Sequence, residues 1–180
     1  GGVTGNYLGG MEAIAETVLS ASAASITFAS IPAIYDHLVL IGQGSLVTSA
    51  SIIGMQFNSD TNSTNYYSQF GLFQGTTGQA AEYLGNTPDA YAARWPNVAT
   101  LGSHFRVTFP NYARTTFYKT CQGEALNHES TATQATWLLV TAATWYNSTA
   151  AINQINLIPR TTTAGFRTGT AVSLYGIKVP

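Results

Sequence analysis

Three histidines, one cysteine and eight acidic residues are the stock from which this chain could build a catalytic or metal site. His37 follows Asp36, the pair from which a general-base dyad would be drawn. In an extended segment neighbouring side chains point to opposite faces, so that adjacency holds the imidazole and the carboxylate apart. His104 alternates with Phe105 on a strand face expected to be exposed, and reads as a surface or interface histidine. No Gly-x-Ser-x-Gly elbow occurs, and a Ser/His/Asp set emerges only by free choice among many serines with His37, His104 and His128. The acids are isolated singles, and no spacing sets two of them at the roughly 5 to 9.5 Å a glycosidase needs.

Metal chemistry has one weak signal. Asn58-x-Asp60-x-Asn62 copies the first oxygen spacings of a calcium loop, but Ser63 stands where the loop needs glycine and Gln69 where it needs glutamate. Gly42-Gln-Gly44 lacks the third glycine and following helix of a phosphate loop. Cys121 has no partner for a disulfide or a cysteine cluster and is expected in the core. The expectation is therefore no catalytic residue, no metal, no cofactor and no enzymatic activity. Binding is the chemistry that remains. Tyr and Trp offer large rigid area to sugars or to protein partners. Most are core, but Tyr7 in the N-terminal stretch and Tyr66, Tyr67, Tyr83, Tyr91 and Trp95, in or beside irregular segments, are the candidate interface aromatics.

The elements that must position these residues are strands. Ile155 and Leu157 share one side of an extended chain and Gln154 and Asn156 the other, and Ala171 to Ile177 is β-branched and aromatic. With the loop Pro159 to Gly169 between them, the two segments read as a hairpin. Further strands are expected at Met11 to Ser20, Ser25 to Phe28, Tyr35 to Ile41 (broken by Gly42), Ser51 to Asn58, His104 to Phe109 and Thr115 to Cys121. Trp137 to Tyr146, apolar on both faces, reads as the buried middle of a sheet. Phe70 to Asn97 reads as a loop-rich excursion with short helical turns, and Gly123 to Ala135 as a polar loop. Eight or nine strands with no long helix predict an all-β, two-sheet antiparallel sandwich or jelly roll. Ile155, Leu157, Phe105, Val107, Phe109, Leu38 and Leu40 are expected between the sheets.

The 180 residues suit one domain over 11–180, preceded by a glycine-rich arm over 1–10. The start at Gly1, without a methionine, suggests processing or excision from a longer protein. Charged residues are only 8% of the chain and the net charge is −1, against about 25% charged in an average protein. Such a surface suits assembly, because few ions lose water when subunits meet. Seven scattered basic residues form no stripe for phosphates, so nucleic acid is not an expected partner. No apolar run of about 18 residues is present, so no membrane partner is expected either.

Several phrases occur together: Ala24-Ser-Ile-Thr-Phe28 with Ser30-Ile-Pro32, Tyr35-Asp-His-Leu38, and Gln56-Phe-Asn-Ser-Asp60 with Asn65-Tyr66. Phe109-Pro-Asn-Tyr112 with Lys119-Thr120, Trp145 before Ser148-Thr-Ala-Ala-Ile152, and the closing Ser173-Leu-Tyr-Gly-Ile177 follow in order. This arrangement, over Met11 to Lys178, resembles a widespread family of tailed-bacteriophage virion proteins. The resemblance implies a jelly-roll or sandwich domain on the outside of the particle and supplies no catalytic residue. It implies a capsid decoration (cement) protein on the outer surface of the virion. The expected partners are the major capsid protein and further copies of the chain, as a homo-oligomer and in particular a trimer. A tail or head fibre domain that binds a host glycan is the alternative, and a polysaccharide hydrolase is the poorest fit.

Overall fold

The structure is a computed structural model that describes residues 10–74, 77–128, 136–147, 149–161 and 163–179; between 74 and 86 the description extends to the backbone only. Twelve strands form two antiparallel sheets. They are β1 (Met11–Val18), β2 (Ile26–Phe28), β3 (His37–Gly44), β4 (Ser51–Phe57), β5 (Tyr66–Gln74), β6 (Thr77–Thr87), β7 (Ala90–Trp95), β8 (Ser103–Pro110), β9 (Lys119–His128), β10 (Thr136–Trp145), β11 (Ile155–Pro159) and β12 (Ala171–Ile177). The large sheet runs β1-β12-β3-β8-β9-β10-β5-β6 and the small one β2-β11-β4-β7. The all-β sandwich read from the sequence is the fold.

Alternation decides which side of each strand is buried. In β8, Phe105, Val107 and Phe109 turn inward while His104, Arg106 and Thr108 face out or lie half-buried. In β11, Ile155 and Leu157 do the same opposite them. The seven residues expected between the sheets are all buried. Phe57 of β4 sits at the centre, with ring centroids 5.7 Å from Phe109 and 5.8 Å from both Tyr66 and Trp145. Each enclosed side chain of this size contributes roughly 1.5 to 3 kcal/mol of transfer free energy.

Several expectations are corrected. β11 and β12 are not a hairpin: β11 pairs with β2 and β4, and β12 with β1 and β3, so the intervening loop crosses from one sheet to the other. Alternation marks a strand's faces and is silent on its partner. The segment expected to be loop-rich, Phe70 to Asn97, holds most of β5 and all of β6 and β7, which brings the count to twelve. Its period is obscured by bulges between Tyr66 and Tyr67 and between Phe70 and Leu72 on β5, and between Ile53 and Gly54 where β4 meets β7. β9 continues to His128 through the stretch read as a polar loop, because its outward residues Gln122 and Glu124 are polar while Cys121, Gly123 and Ala125 are buried. β10 is covered on one side only: Leu139 and Trp145 are buried, Leu138 and Val140 exposed. Gly42 does not break β3. A Cβ there would stand 2.4 Å from Cε1 of Phe105, so glycine is what lets the Phe105 ring lie across the strand.

Candidate functional site

The outward face of the large sheet is set by register. Thr108 of β8 stands opposite Gln122 of β9, Gln122 opposite Ala142 of β10, and Ala142 opposite Gln69 of β5. The next row toward one end of the sandwich is Thr120, Thr144 and Tyr67. These two rows line a trough of about 640 Å³. Ala142 keeps the floor low, and Ser68, Cys121 and Ala143 complete it with their side chains turned inward. Burial pushes the Cys121 thiol up to about 12, so it is no nucleophile toward the trough. Gln69, Gln122, Thr108, Thr120 and Thr144 make no side-chain hydrogen bond among the described residues, which leaves their polar groups facing solvent.

The trough is open at both ends. Toward one side it shares Thr108 and Gln122 with a smaller hollow of about 290 Å³ lined by Arg106, Glu124 and Val140. Toward the other it shares Pro110 and Thr120 with a hollow of about 400 Å³ under the 111–118 loop. An aromatic wall stands at that end. Tyr118 stacks on Tyr146 at 4.5 Å and 20°, and Tyr146 meets Tyr67 edge-on at 5.6 Å. Phe117, 79% exposed, projects beside them.

Asp60 holds the wall in place. Its carboxylate accepts from Nε1 of Trp145 at 2.6 Å, from Nδ2 of Asn65 at 2.9 Å, from Nδ2 of Asn147 at 2.9 Å and from the backbone N–H of Asn62 at 3.0 Å. Burial alone would raise its pKa, but these four donors outweigh it and hold the carboxyl below the usual range. At the calcium-like spacing Asp60 is ringed by N–H donors. The Oδ1 of Asn58 accepts from the backbone of Asn153 and Gln154, and that of Asn62 from Thr64. Oxygens so engaged do not make a cation cage, and no group of three or more metal-ligating side chains forms among the described residues. Lys119 pins the 111–118 loop from below, its buried ammonium donating to the carbonyls of Phe117 (3.0 Å) and Thr149 (2.7 Å).

The candidate interface aromatics separate into three groups. Tyr66, Tyr91 and Trp95 are core residues, a correction to the expectation of exposure. The Tyr66 hydroxyl accepts from the Phe57 N–H and donates to the Asp60 carbonyl, and burial pushes its pKa up. Tyr91 stacks on Phe70 at 4.6 Å, and Trp95 packs on Phe105 and Phe166. Of those whose side chains are described, Tyr67 alone joins the trough. Tyr83 stands on β6, where only the backbone is described, and Tyr7 lies outside the described residues. Sequence reasoning missed Tyr118 and Tyr146, whose signal was an aromatic at the outward position next to a buried Lys119 or Trp145. His37 and Asp36 turn apart, as the strand geometry requires: Nδ1 of His37 accepts from the Asn111 N–H and Asp36 from the Val179 N–H.

No family model and no curated protein matches the chain. Two solved structures overlap it, both of doubly substituted variants of the alginate lyase Aly36B. One is bound to alginate trisaccharide, with 8% identity over 92% of this chain and 80% of the other and a TM-score of 0.30. The second is bound to alginate tetrasaccharide, with 8% identity over 91% and 79% and a TM-score of 0.26. The expectation that the chain is not an enzyme is corrected on this finding: the two solved structures it overlaps are those of an enzyme. An overlap this loose carries neither activity nor substrate to this chain.

Proposed function

We propose that the chain is a structural component of a tailed-bacteriophage particle, a decoration protein carried on the outer surface of the major capsid shell as a symmetric homo-oligomer. The observation that supports this reading is β1. It pairs with β12 alone and leaves its other backbone edge without a strand among the described residues. Six of its eight residues are exposed, on both faces, because the large sheet extends beyond the small one there. Two glutamates and a register shift between Ala13 and Ala15 interrupt this edge, yet Met11 and Val18 stay in solvent, a surface that proteins normally cover. A neighbouring subunit seated on β1 would complete it, and Glu12 and Glu16 are the charged groups of that strand it would have to accommodate.

Lysines at Ala13 and Ala15, both exposed on β1, test the reading. They should leave the melting temperature within a few degrees, reduce the protein to a monomer in sedimentation, and remove it from particles assembled in its presence. Incorporation at the unmodified copy number would contradict the role of β1.

A further inference from the structure

We infer that the trough across β8, β9, β10 and β5 binds an extended, uncharged oligosaccharide. Its shape points first to a polymer. The three linked hollows run along the strands from the 111–118 loop to the Arg106–Glu124 row. From Thr120 to Glu124 on β9 alone that is about 14 Å, at roughly 3.4 Å per residue. A groove open at both ends accommodates a chain that enters and leaves, whereas a compact ligand favours an enclosed pocket.

The lining points to the chemistry. Two carboxamides and three hydroxyls, each with donor and acceptor capacity and none tied to another described side chain, match a ligand whose groups are hydroxyls. No carboxylate, ammonium or guanidinium lines the central trough. The two charges at its far end, Arg106 and Glu124, stand opposite each other in register and offset one another. The hollow under the 111–118 loop adds Arg114 and Lys119, but the Lys119 ammonium is buried and donates to two carbonyls. An anionic polymer therefore meets one exposed guanidinium not balanced by an acid and no charge along the central trough. Tyr118, Tyr146 and Tyr67 present ring area at one end, the surface against which the apolar face of a sugar ring packs. An extended peptide fits less well: β8, β9, β10 and β5 are each paired on both sides, so their main chains have no hydrogen bonds left for a peptide backbone.

Neither shape nor lining depends on where the chain is carried, so the test is separate from the one above. Native electrophoresis of the full chain through gels containing dextran, mannan, xylan or galactan should show retardation by at least one of these neutral polymers. The retardation should persist in 1 M NaCl, where charge attraction is screened within about 3 Å. Calorimetry with an oligosaccharide of the retarding polymer should show Gln122→Ala and Tyr118→Ala, both at exposed positions, weakening binding about tenfold each, as loss of one good contact predicts. Val47→Ser, beside a separate hollow, should bind as the unmodified chain does. Retardation by none of the four polymers, by polygalacturonate or gelatin only, or retained affinity in both trough variants would overturn the inference.

Discussion

The indole Nε1 of Trp145 donates to Oδ2 of Asp60 across 2.6 Å, joining the last residue of β10 to the loop that follows β4. Tyr146 comes next after Trp145, and Tyr66 and Tyr67 come next after Asn65, which donates to the same carboxylate. One acid thus fixes the chain on both sides of the aromatic wall. Asp60→Ala should cost about 1 to 3 kcal/mol, the penalty for a buried donor left without its acceptor. The folded-state pKa lies below the unfolded value, so this stabilisation is complete above the unfolded carboxyl pKa of about 3.9 and is lost as pH falls through the folded one. Thermal unfolding between pH 2.5 and 7 should show that acid-side loss in the unmodified chain and a flatter profile in Asp60→Asn.

Arg160 and Asp89 should behave with the opposite sign. Asp89 is fully buried, and burial raises its pKa despite the Arg160 guanidinium at 2.6 Å. A raised folded pKa contributes stability below the unfolded value and loses it as pH rises through the folded one. Arg160→Met strands the carboxylate and should cost about 3 to 5 kcal/mol at pH 7. Lowering the pH should recover part of that loss as Asp89 takes up a proton. A deficit that is constant from pH 4 to 8 would show that Asp89 is not the group responsible.

Phe105 and Gly42 form a packing unit across β3 and β8. Phe105→Ala should cost about 3 to 5 kcal/mol through the cavity it leaves. Gly42→Ala should cost about 1 to 3 kcal/mol, because its Cβ displaces the ring. Combined with Phe105→Leu, the alanine should cost clearly less than the sum of the separate changes. Strict additivity in denaturant titrations would mean that the two positions do not touch.

Lys119 separates stability from loop placement. Burial lowers its pKa, so the ammonium is held at a cost that only two carbonyls offset. Lys119→Met should leave the melting temperature unchanged or raise it, while speeding amide hydrogen exchange in residues 111–118. Unchanged exchange there would show that the loop is held by other contacts.

How much of this was legible in the sequence follows from the physics of each element. β8 and β11 declare themselves because one face of each is buried, so alternation and burial coincide at Phe105, Val107, Ile155 and Leu157. β7 does not, since Ala90, Tyr91, Ala92 and Ala93 are buried on both faces, and a run without period carries no strand signal. The trough was hidden for another reason. Thr108, Gln122, Ala142 and Gln69 come from four strands, and only register, which long-range packing sets, brings them into one row. The spacing at Asn58, Asp60 and Asn62 imitates the start of a calcium loop because side-chain oxygens that suit a cation equally suit backbone N–H groups nearby. Nothing local in the sequence relates Asp60 to Trp145, 85 positions away.

The central claim, that this is a virion surface component, is tested most directly by counting the protein on purified particles. Density-gradient particles of a phage whose genome carries this sequence, quantified by mass spectrometry and imaged by cryo-electron microscopy, should carry the chain in many copies per head. Its two-sheet density should sit on the outer face of the shell, at a stoichiometry fixed by the lattice. Particles free of the protein, or with the chain confined to the tail or to the soluble lysate, would contradict the assignment.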